Sequence, residues 1–138
     1  MEIEWSKLVA VSGMPGLYQM ISNKSNGLIV ANIETGKRTF APARKHQFTP
    51  LESIAIFTDD GDSVPFKEVV QRIKTLEKQA PVPSTNEPAE TLRKWFAQVL
   101  PNHDRSRVYN GDIKKIIKWY LILNTHNLIP TPKAEEEE

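Results

Sequence analysis

A proline-rich stretch at residues 80–88 constrains the fold of this chain more than any other feature. Its sequence, APVPSTNEP, contains three prolines. A proline lacks the amide hydrogen that helices and sheets use, and it disfavours helical backbone in the residue before it. We therefore expect no regular element to cross this stretch, and we interpret it as a linker. The 138 residues of the chain suffice for a small domain on each side of it.

The part before the linker has the pattern of a β-meander. Two apolar runs, 17–22 and 28–33, are joined through Asn26-Gly27. This pair tolerates the positive φ angles of a two-residue type I′ turn, so the sequence predicts a tight hairpin here. Residues 37–41 are predicted as the third strand.

The tripeptide Gly36-Lys37-Arg38 invites comparison with a phosphate-binding loop. Such a loop has a glycine several residues earlier, a Ser or Thr directly after the lysine, and a helix next. Here Arg38 follows the lysine, and the residues beyond it favour a strand. We therefore interpret Thr35-Gly36 as the second bend of the meander.

The remaining residues of this part predict a small closed sheet. Residues 44–48 are predicted as a fourth strand, TPLE at 49–52 as a capping box that opens one helical turn, and 54–57 as a fifth strand. This order is that of an SH3-like β-barrel, in which closure leaves no open sheet edge. Residues 7–11 are predicted as a short helix, although their apolar run is equally compatible with a strand.

Helical periodicity dominates the later residues. A helix from Val64 to about Lys78 has one apolar stripe and is expected to pack on the barrel. After the linker, two amphipathic segments, one ending at Pro101 and one spanning 112–123, predict a helical hairpin. The predicted organisation is α+β: a barrel with a packed helix at 1–79, the linker at 80–88, the hairpin at 89–130 and a disordered acidic tail at 131–138.

No catalytic, metal or cofactor site is predicted, and we do not expect an enzyme. The chain has no cysteine, which excludes disulfides and thiolate ligands and favours an intracellular protein. The three histidines, His46, His103 and His126, lack metal-ligand spacing. The bend DDGDS at 59–63 lacks the ligand order of a calcium loop, and we interpret it as a turn that caps the next helix.

The same sequence predicts a cytoplasmic protein with no membrane partner. The acidic N-terminus lacks the basic-then-apolar order of a signal peptide. No apolar run approaches the roughly 20 residues that span a bilayer.

Basic residues are in excess after the linker. Without the four final glutamates, residues 81–138 contain 8 Lys or Arg against 4 Asp or Glu, whereas residues 1–80 contain 10 against 9. A cationic face with an available indole can contact phosphates and stack a base. The simpler alternative is that the lysines solubilise an exposed helix face while the tryptophan closes the core edge. The candidate binding residues are Lys114, Lys115, Lys118, Trp119, Arg105 and Arg107.

Five stretches carry a family resemblance: SGMPGLY (12–18), TGKR (35–38), LESIAIFTDD (51–60), VPFKEV (64–69) and RVYNGDIKKIIKWY (107–120). They resemble a family of small uncharacterised Bacteroidetes proteins that are built from an N-terminal and a C-terminal domain of unknown function. The resemblance extends over nearly the whole chain apart from the linker and the tail. It implies a bacterial, cytoplasmic, two-domain protein, and it supplies no catalytic residues.

Taken together, these features predict a non-enzymatic binding or adaptor protein whose partner is another protein. A surplus of apolar side chains, Trp5, Tyr18 and Trp119, would supply anchors for such a partner, because aromatic residues dominate interface energetics. The alternative is an RNA- or DNA-associated protein that uses the basic C-terminal helix. The fold class does not decide between these two functions, because one fold serves many of them.

Overall fold

The computed structural model describes residues 4–129 and has a mixed α+β architecture. The chain divides into two compact units, Met1–Ile54 and Ala55–Glu138. The division falls before the helix that was predicted to complete the first domain at residue 79. That helix is therefore part of the second unit.

The first unit is an antiparallel five-stranded sheet with two short 3₁₀ turns, Trp5–Lys7 and Leu51–Ser53. The strands lie in the spatial order β4-β3-β2-β1-β5. Within residues 4–129 no pairing joins β4 to β5, so the sheet is open and the predicted SH3-like barrel is not supported. The strands are β1 (Leu8–Val11), β2 (Met14–Lys24), β3 (Gly27–Asn32), β4 (Arg38–Pro42) and β5 (Phe48–Pro50).

Strand β1 corrects the helix predicted at residues 7–11. It pairs with β2 through Val9 and Tyr18, and with β5 through Val11 and Phe48. An uninterrupted apolar run is compatible with either a buried strand or a buried helix segment, because it has no distinguishing period. The pairing on both sides decides in favour of a strand.

The turn between β2 and β3 differs from the predicted type I′ turn at Asn26-Gly27. Ser25 and Asn26 form the turn, and Gly27 already pairs with Lys24. Among the described residues, positive φ occurs at neither Asn26 nor Gly27. A Cβ on Gly27 would instead lie 2.3 Å from the carbonyl oxygen of Ala41 on β4. Glycine is required here because β3 and β4 approach closely, and not because of its φ angle.

The bend predicted at Thr35-Gly36 is confirmed. Gly36 has φ 78° in the connection between β3 and β4, and this left-handed conformation favours glycine. The side-chain oxygen of Asn32 accepts hydrogen bonds from the amides of Glu34 and Thr35 at 2.8 and 3.1 Å. Strand β4 begins at Arg38, so no helix follows and the tripeptide is not a phosphate-binding loop.

The segment before the second unit also departs from prediction. The fourth strand predicted at 44–48 is displaced, because β5 begins only at Phe48. Thr49 and Pro50 belong to this strand, and no side chain caps the Leu51–Ser53 turn, so the predicted capping box is wrong. The hydroxyl of Ser53 instead donates to the carbonyl of Pro50 at 2.8 Å.

One face of the sheet forms a buried cluster drawn from β1, β2, β3 and β4. Partly buried side chains, including Met20 and Phe48, pack against it. On the opposite face, Leu8 and Leu17 are fully buried, and the two 3₁₀ turns contact β1 and β2. The clustered residues are Val9, Val11, Tyr18, Val30 and Ala41.

The second unit combines a two-stranded sheet with three helices. Strand β6 was predicted as the last barrel strand, but it pairs with β7 through Ile56 and Val64. Val64 and Pro65, predicted to begin the helix, belong to strand β7, and no aspartate caps that helix. The elements are β6 (Ala55–Phe57), β7 (Ser63–Pro65), α1 (Phe66–Leu76), α2 (Ala89–Val99) and α3 (Asn110–Thr125).

The helices bury the apolar stripes that their periodicity predicts. Helix α2 packs against α3, as the predicted helical hairpin requires, and it also packs against α1. No helix or strand lies within 80–88, and the indole of Trp95 donates to the carbonyl of Ala80 at 3.3 Å. The linker is therefore fastened to α2. The buried apolar residues are Phe66, Val69, Val70 and Ile73 on α1, Leu92, Trp95, Phe96 and Val99 on α2, and Ile113, Ile116, Ile117, Tyr120 and Leu123 on α3.

Helix α3 ends in a Schellman motif. Asn127 has φ 56°, the amide of Leu128 donates to the carbonyl of Leu123 at 2.8 Å, and the Asn127 amide donates to the carbonyl of Asn124 at 3.2 Å. The tail predicted at 131–138 lies outside the described residues. In the part of the chain that the structure describes, no helix is long and apolar enough to cross a membrane.

Candidate functional site

The predicted binding residues lie in the second unit, on α3 and in the loop before it. Lys115 and Lys118 are exposed, and Lys114 is half-buried. Leu121, which the sequence analysis did not single out, is a large apolar residue with 48% of its surface exposed. We call Lys114, Lys115, Lys118 and Leu121 the α3 face.

The period of the helix places these four residues together. The buried residues of α3 define one side, and the α3 face lies on the other. Lys114, Lys118 and Leu121 are spaced at i, i+4 and i+7, which puts them on one stripe. At about 1.5 Å of rise per residue, the stripe is about 10 Å long.

The lysines of the α3 face have no ion-pair partner in the part of the unit that the structure describes. Among residues 4–129, no ion pair involves Lys114, Lys115 or Lys118. The nearest carboxylate along the helix, Asp112, accepts a hydrogen bond from the amide of Tyr109 at 2.9 Å. The face therefore presents three positive charges beside an exposed aliphatic side chain.

Trp119 is half-buried and packs inward. Its ring meets that of Phe66 on α1 in a T-shaped contact, with centroids 5.7 Å apart and planes at 86°. This contact joins two helices of the core and occupies part of the indole surface. The geometry agrees with the simpler alternative for Trp119, in which it closes the core edge.

The two arginines before α3 have different surroundings. Arg105 is exposed. The Arg107 guanidinium lies 4.8 Å from the ring centroid of Phe57 on β6, and its Nε is 3.7 Å from a carboxylate oxygen of Asp104. A cation over an aromatic face is attracted by the ring quadrupole, so Arg107 helps to hold this loop against β6.

His103 is buried and structural. Its Nδ1 donates to the carbonyl of Leu100 at 2.8 Å, and its Nε2 accepts from Arg93 at 3.3 Å. The same guanidinium group donates to the carbonyl of Val108 at 2.7 Å. Burial lowers the pKa of His103, and the charge of Arg93 lowers it further. His103 is therefore neutral at pH 7 and joins the α2–α3 loop to Thr58, with which it forms a β-bridge.

Two aspartates stabilise turns near this histidine. A hydrogen bond from the Thr58 hydroxyl, at 2.6 Å, lowers the pKa of Asp60. Asp104 likewise accepts from the hydroxyl of Ser106 at 2.6 Å, which lowers the pKa of Asp104. The prediction of a turn at DDGDS is confirmed, but the predicted capping of the next helix by this stretch is wrong. Within residues 4–129, no group of three His, Asp or Glu side chains could hold a metal ion.

Tyr120 is a buried phenol on α3 whose pKa is raised. Burial, and secondly the charge of Glu77, raise the pKa of its phenol to about 12. No described residue meets the hydroxyl in hydrogen-bond geometry, so we attribute the influence of Glu77 to its charge rather than to a hydrogen bond. A phenol with this pKa remains protonated at neutral pH and is a poor base or nucleophile.

The first unit brings a serine and a histidine together, although the sequence did not suggest it. His46 Nδ1 lies 2.6 Å from the carbonyl oxygen of Ser12, and the Ser12 hydroxyl accepts from the amide of Gln47 at 2.7 Å. A nucleophilic dyad needs the ring nitrogen at the hydroxyl. Here the ring binds the backbone, so the pair fastens the loop before β5 to the β1–β2 turn.

Comparison with known proteins places this architecture in a family. Residues 6–51 match the model of a domain of unknown function (DUF5606), and residues 54–123 match a second domain of unknown function (DUF6852). The chain belongs to this two-domain family. The family resemblance predicted from the sequence is thereby confirmed. The second match begins at residue 54, one residue before the second compact unit.

A solved structure supports the assignment to the two-domain family. It is a solution NMR structure of a structural-genomics target from Bacteroides vulgatus, which is 39% identical to this chain with a TM-score of 0.74. The alignment covers 91% of this chain and 89% of that chain. No curated protein matches the sequence at a significant level.

Proposed function

We propose that this member of the two-domain family is a non-enzymatic module that binds another protein through the α3 face. One observation carries the proposal: Leu121 is 48% exposed beside Lys114 and Lys118, which have no ion-pair partner among the described residues. Covering apolar surface contributes about 25 cal/mol per Å², and flanking charges select the partner.

The chemistry of the α3 face favours a protein over a nucleic acid. Proteins that hold single strands without sequence preference stack bases on aromatic side chains. The aromatic residue of this segment, Trp119, packs on Phe66, and the exposed apolar residue is the aliphatic Leu121. An aliphatic side chain is complemented by another apolar side chain, which a protein partner supplies.

Other groups in the chain support a binding role and a cytoplasmic setting. The buried His103 is held by Leu100 and Arg93, and His46 binds the backbone of Ser12, so both rings have structural partners. The absence of cysteine from all 138 residues is what a protein of a reducing compartment is expected to show.

Site-specific photo-crosslinking in the native organism tests this proposal. Benzoylphenylalanine is placed at position 121, with position 94 as the matched control, because Lys94 is also exposed on a helix of the same unit. We expect discrete protein adducts from position 121 and none of the same mass from position 94. The same adducts from both positions, or none from either, would refute the proposal.

Nucleic-acid binding is the second candidate. Three lysines on one helix face, without ion-pair partners among residues 4–129, favour it. Phosphate binding by three lysines predicts that the logarithm of affinity falls with the logarithm of salt concentration at a slope of about −2 for single strands. Replacing Lys114, Lys115 and Lys118 with glutamine would remove that slope. No binding to mixed RNA or DNA at low salt excludes this candidate.

A further inference from the structure

We infer that the partner of the α3 face is an acidic amphipathic helix. Two carboxylates on one side of that helix would face Lys114 and Lys118, and an aliphatic side chain would rest on Leu121. This inference rests on the proposed function and specifies the chemistry of the partner.

The backbone of α3 favours a helical partner over an extended one. Along the middle of a helix, amide and carbonyl groups are already bonded to each other, so α3 has none to offer a neighbouring chain. An extended segment laid on this surface would have its own backbone groups without partners, unless water supplied them. A helix satisfies its backbone internally and presents only side chains, as in the binding of amphipathic helices to grooves.

The spacing of the α3 face sets the pattern that such a helix must carry. Lys114 and Lys118 are four residues apart, which corresponds to about 6 Å along the axis, and Leu121 follows about 4.5 Å later. Carboxylates at i and i+4 of a second helix repeat the first distance. A leucine at i+7 in a parallel partner, or at i−3 in an antiparallel one, repeats the second.

The half-buried Ile122 extends the apolar contact. It follows Leu121 directly and lies four residues after Lys118. An aliphatic side chain seated on this pair is therefore bordered by positive charge on the side of Lys115 and Lys118. Such an arrangement rejects a basic helix and admits an acidic one, because like charges across an interface repel.

The charge of the face also disfavours self-association through it. Two copies of α3 packed face to face would bring lysines against lysines, with no carboxylate within the face to separate them.

The ion pairs with an acidic partner helix are individually weak. An exposed lysine–carboxylate pair contributes about 0.2–1 kcal/mol, so two such pairs add modestly to affinity. Their main effect is to select an acidic partner over a basic one.

Titration of the isotope-labelled full chain with synthetic helical peptides tests the inference by NMR. The test peptide has glutamates at i and i+4 and leucines at both i−3 and i+7, so that it matches the α3 face in either direction. The control peptide has the same composition with both leucines on the opposite face. We expect shift changes centred on residues 114–122 with the test peptide only.

Variants of the chain sharpen this experiment. Lys114→Gln with Lys118→Gln should weaken test-peptide binding about 2- to 30-fold in low salt, which corresponds to the loss of two exposed charge pairs. Lys94→Gln, on the exposed surface of α2, should leave it unchanged. Equal binding of the two peptides, or equal effects of the two sets of variants, would overturn the inference.

The outcomes separate the inference from the proposed function. Protein adducts from position 121 together with no binding of the acidic peptide would overturn the helix inference alone. Absence of both would overturn the proposed function as well. Deletion of residues 134–138 should leave the α3 resonances in place, and shifts at 114–122 would instead assign the face to the chain's own glutamates.

Discussion

Replacement of Gly27 with alanine should destabilise the first unit severely, although both residues are small. The added Cβ would lie 2.3 Å from the carbonyl oxygen of Ala41 and 2.9 Å from the Cα of Pro42. Both atoms belong to the backbone of β4, so no side-chain rotation can relieve the contact.

The size of the effect follows from the distance. Ordinary contacts begin at 3.4 Å, so β4 must retreat by about 1.1 Å (3.4 − 2.3) to accept the methyl group. Overpacking costs about 1–3 kcal/mol, and we expect a value near 3 because a backbone strand has to move. Domains are stable by only about 5–15 kcal/mol, so this loss is a large fraction of the total.

Amide hydrogen exchange measured by NMR reports this effect for each unit separately. A loss of 3 kcal/mol corresponds to about 150-fold faster exchange of the β3 and β4 amides that open globally. The matched control is Gly111→Ala in the first turn of α3, where a Cβ meets nothing within 4 Å. That change should stabilise the second unit by up to about 1 kcal/mol, because alanine is the better helix former.

The refuting result for Gly27 is straightforward. Exchange of the β3 and β4 amides within about threefold of the parent rate would show that the strands are not as close as described. A loss of stability equal in both variants would show that glycine itself, and not its surroundings, controls the effect.

Three further substitutions test the second unit. Because burial lowers the pKa of His103, the unfolded chain binds the proton more readily than the folded chain does. The contribution of His103 to the free energy of unfolding should be constant above about pH 7 and fall by up to about 1.4 kcal/mol per pH unit as the pH drops below 6.5. In urea unfolding between pH 7.5 and 5.5, His103→Gln should flatten this slope. Asn127→Gly should raise Tm by a few degrees, since glycine adopts the left-handed C-cap at lower cost; a lower Tm would contradict the Schellman geometry. Tyr120→Phe should leave the free energy of unfolding unchanged or raise it by about 1 kcal/mol, because it removes a buried hydroxyl without a hydrogen-bond partner among the described residues. A large loss of stability would instead reveal a hydrogen bond from this hydroxyl to Glu77.

The helices were the most predictable part of this fold. The apolar residues of α2 recur with the helical period, and the residues predicted to share a face, from Leu92 to Val99, are all buried. Local spacing is sufficient for such an element because its buried side is defined by its own sequence. The same holds for α3, whose exposed lysines follow from the buried stripe.

The sheet was less predictable because strand partners are distant in sequence. Residues 7–11 were predicted as a short helix with a strand as the alternative, and β1 lies between β2 and β5 in the sheet. Closure into a barrel was inferred from element order alone, and the pairing of β6 with β7 removes the strand needed to close it. The role of Gly27 depends on the carbonyl of Ala41, fourteen positions away, which no local pattern reveals.

The candidate site was also predictable only where its features depend on local sequence. The period of α3 predicted that the three lysines lie away from the buried stripe. The contact of Trp119 with Phe66, in contrast, links residues 53 positions apart. Leu121 lay within the helical pattern as an apolar residue outside the buried stripe, and that departure from the pattern was the available signal for an interaction surface.

The adduct yield from position 121 in the native organism is the most direct test of the claim that the α3 face binds a protein. We predict one or a few protein adducts whose yield falls severalfold when Lys114 and Lys118 are replaced with glutamine, and is unaffected by Lys94→Gln. Adducts that disappear on nuclease treatment, or a yield indifferent to the two lysines, would contradict the account.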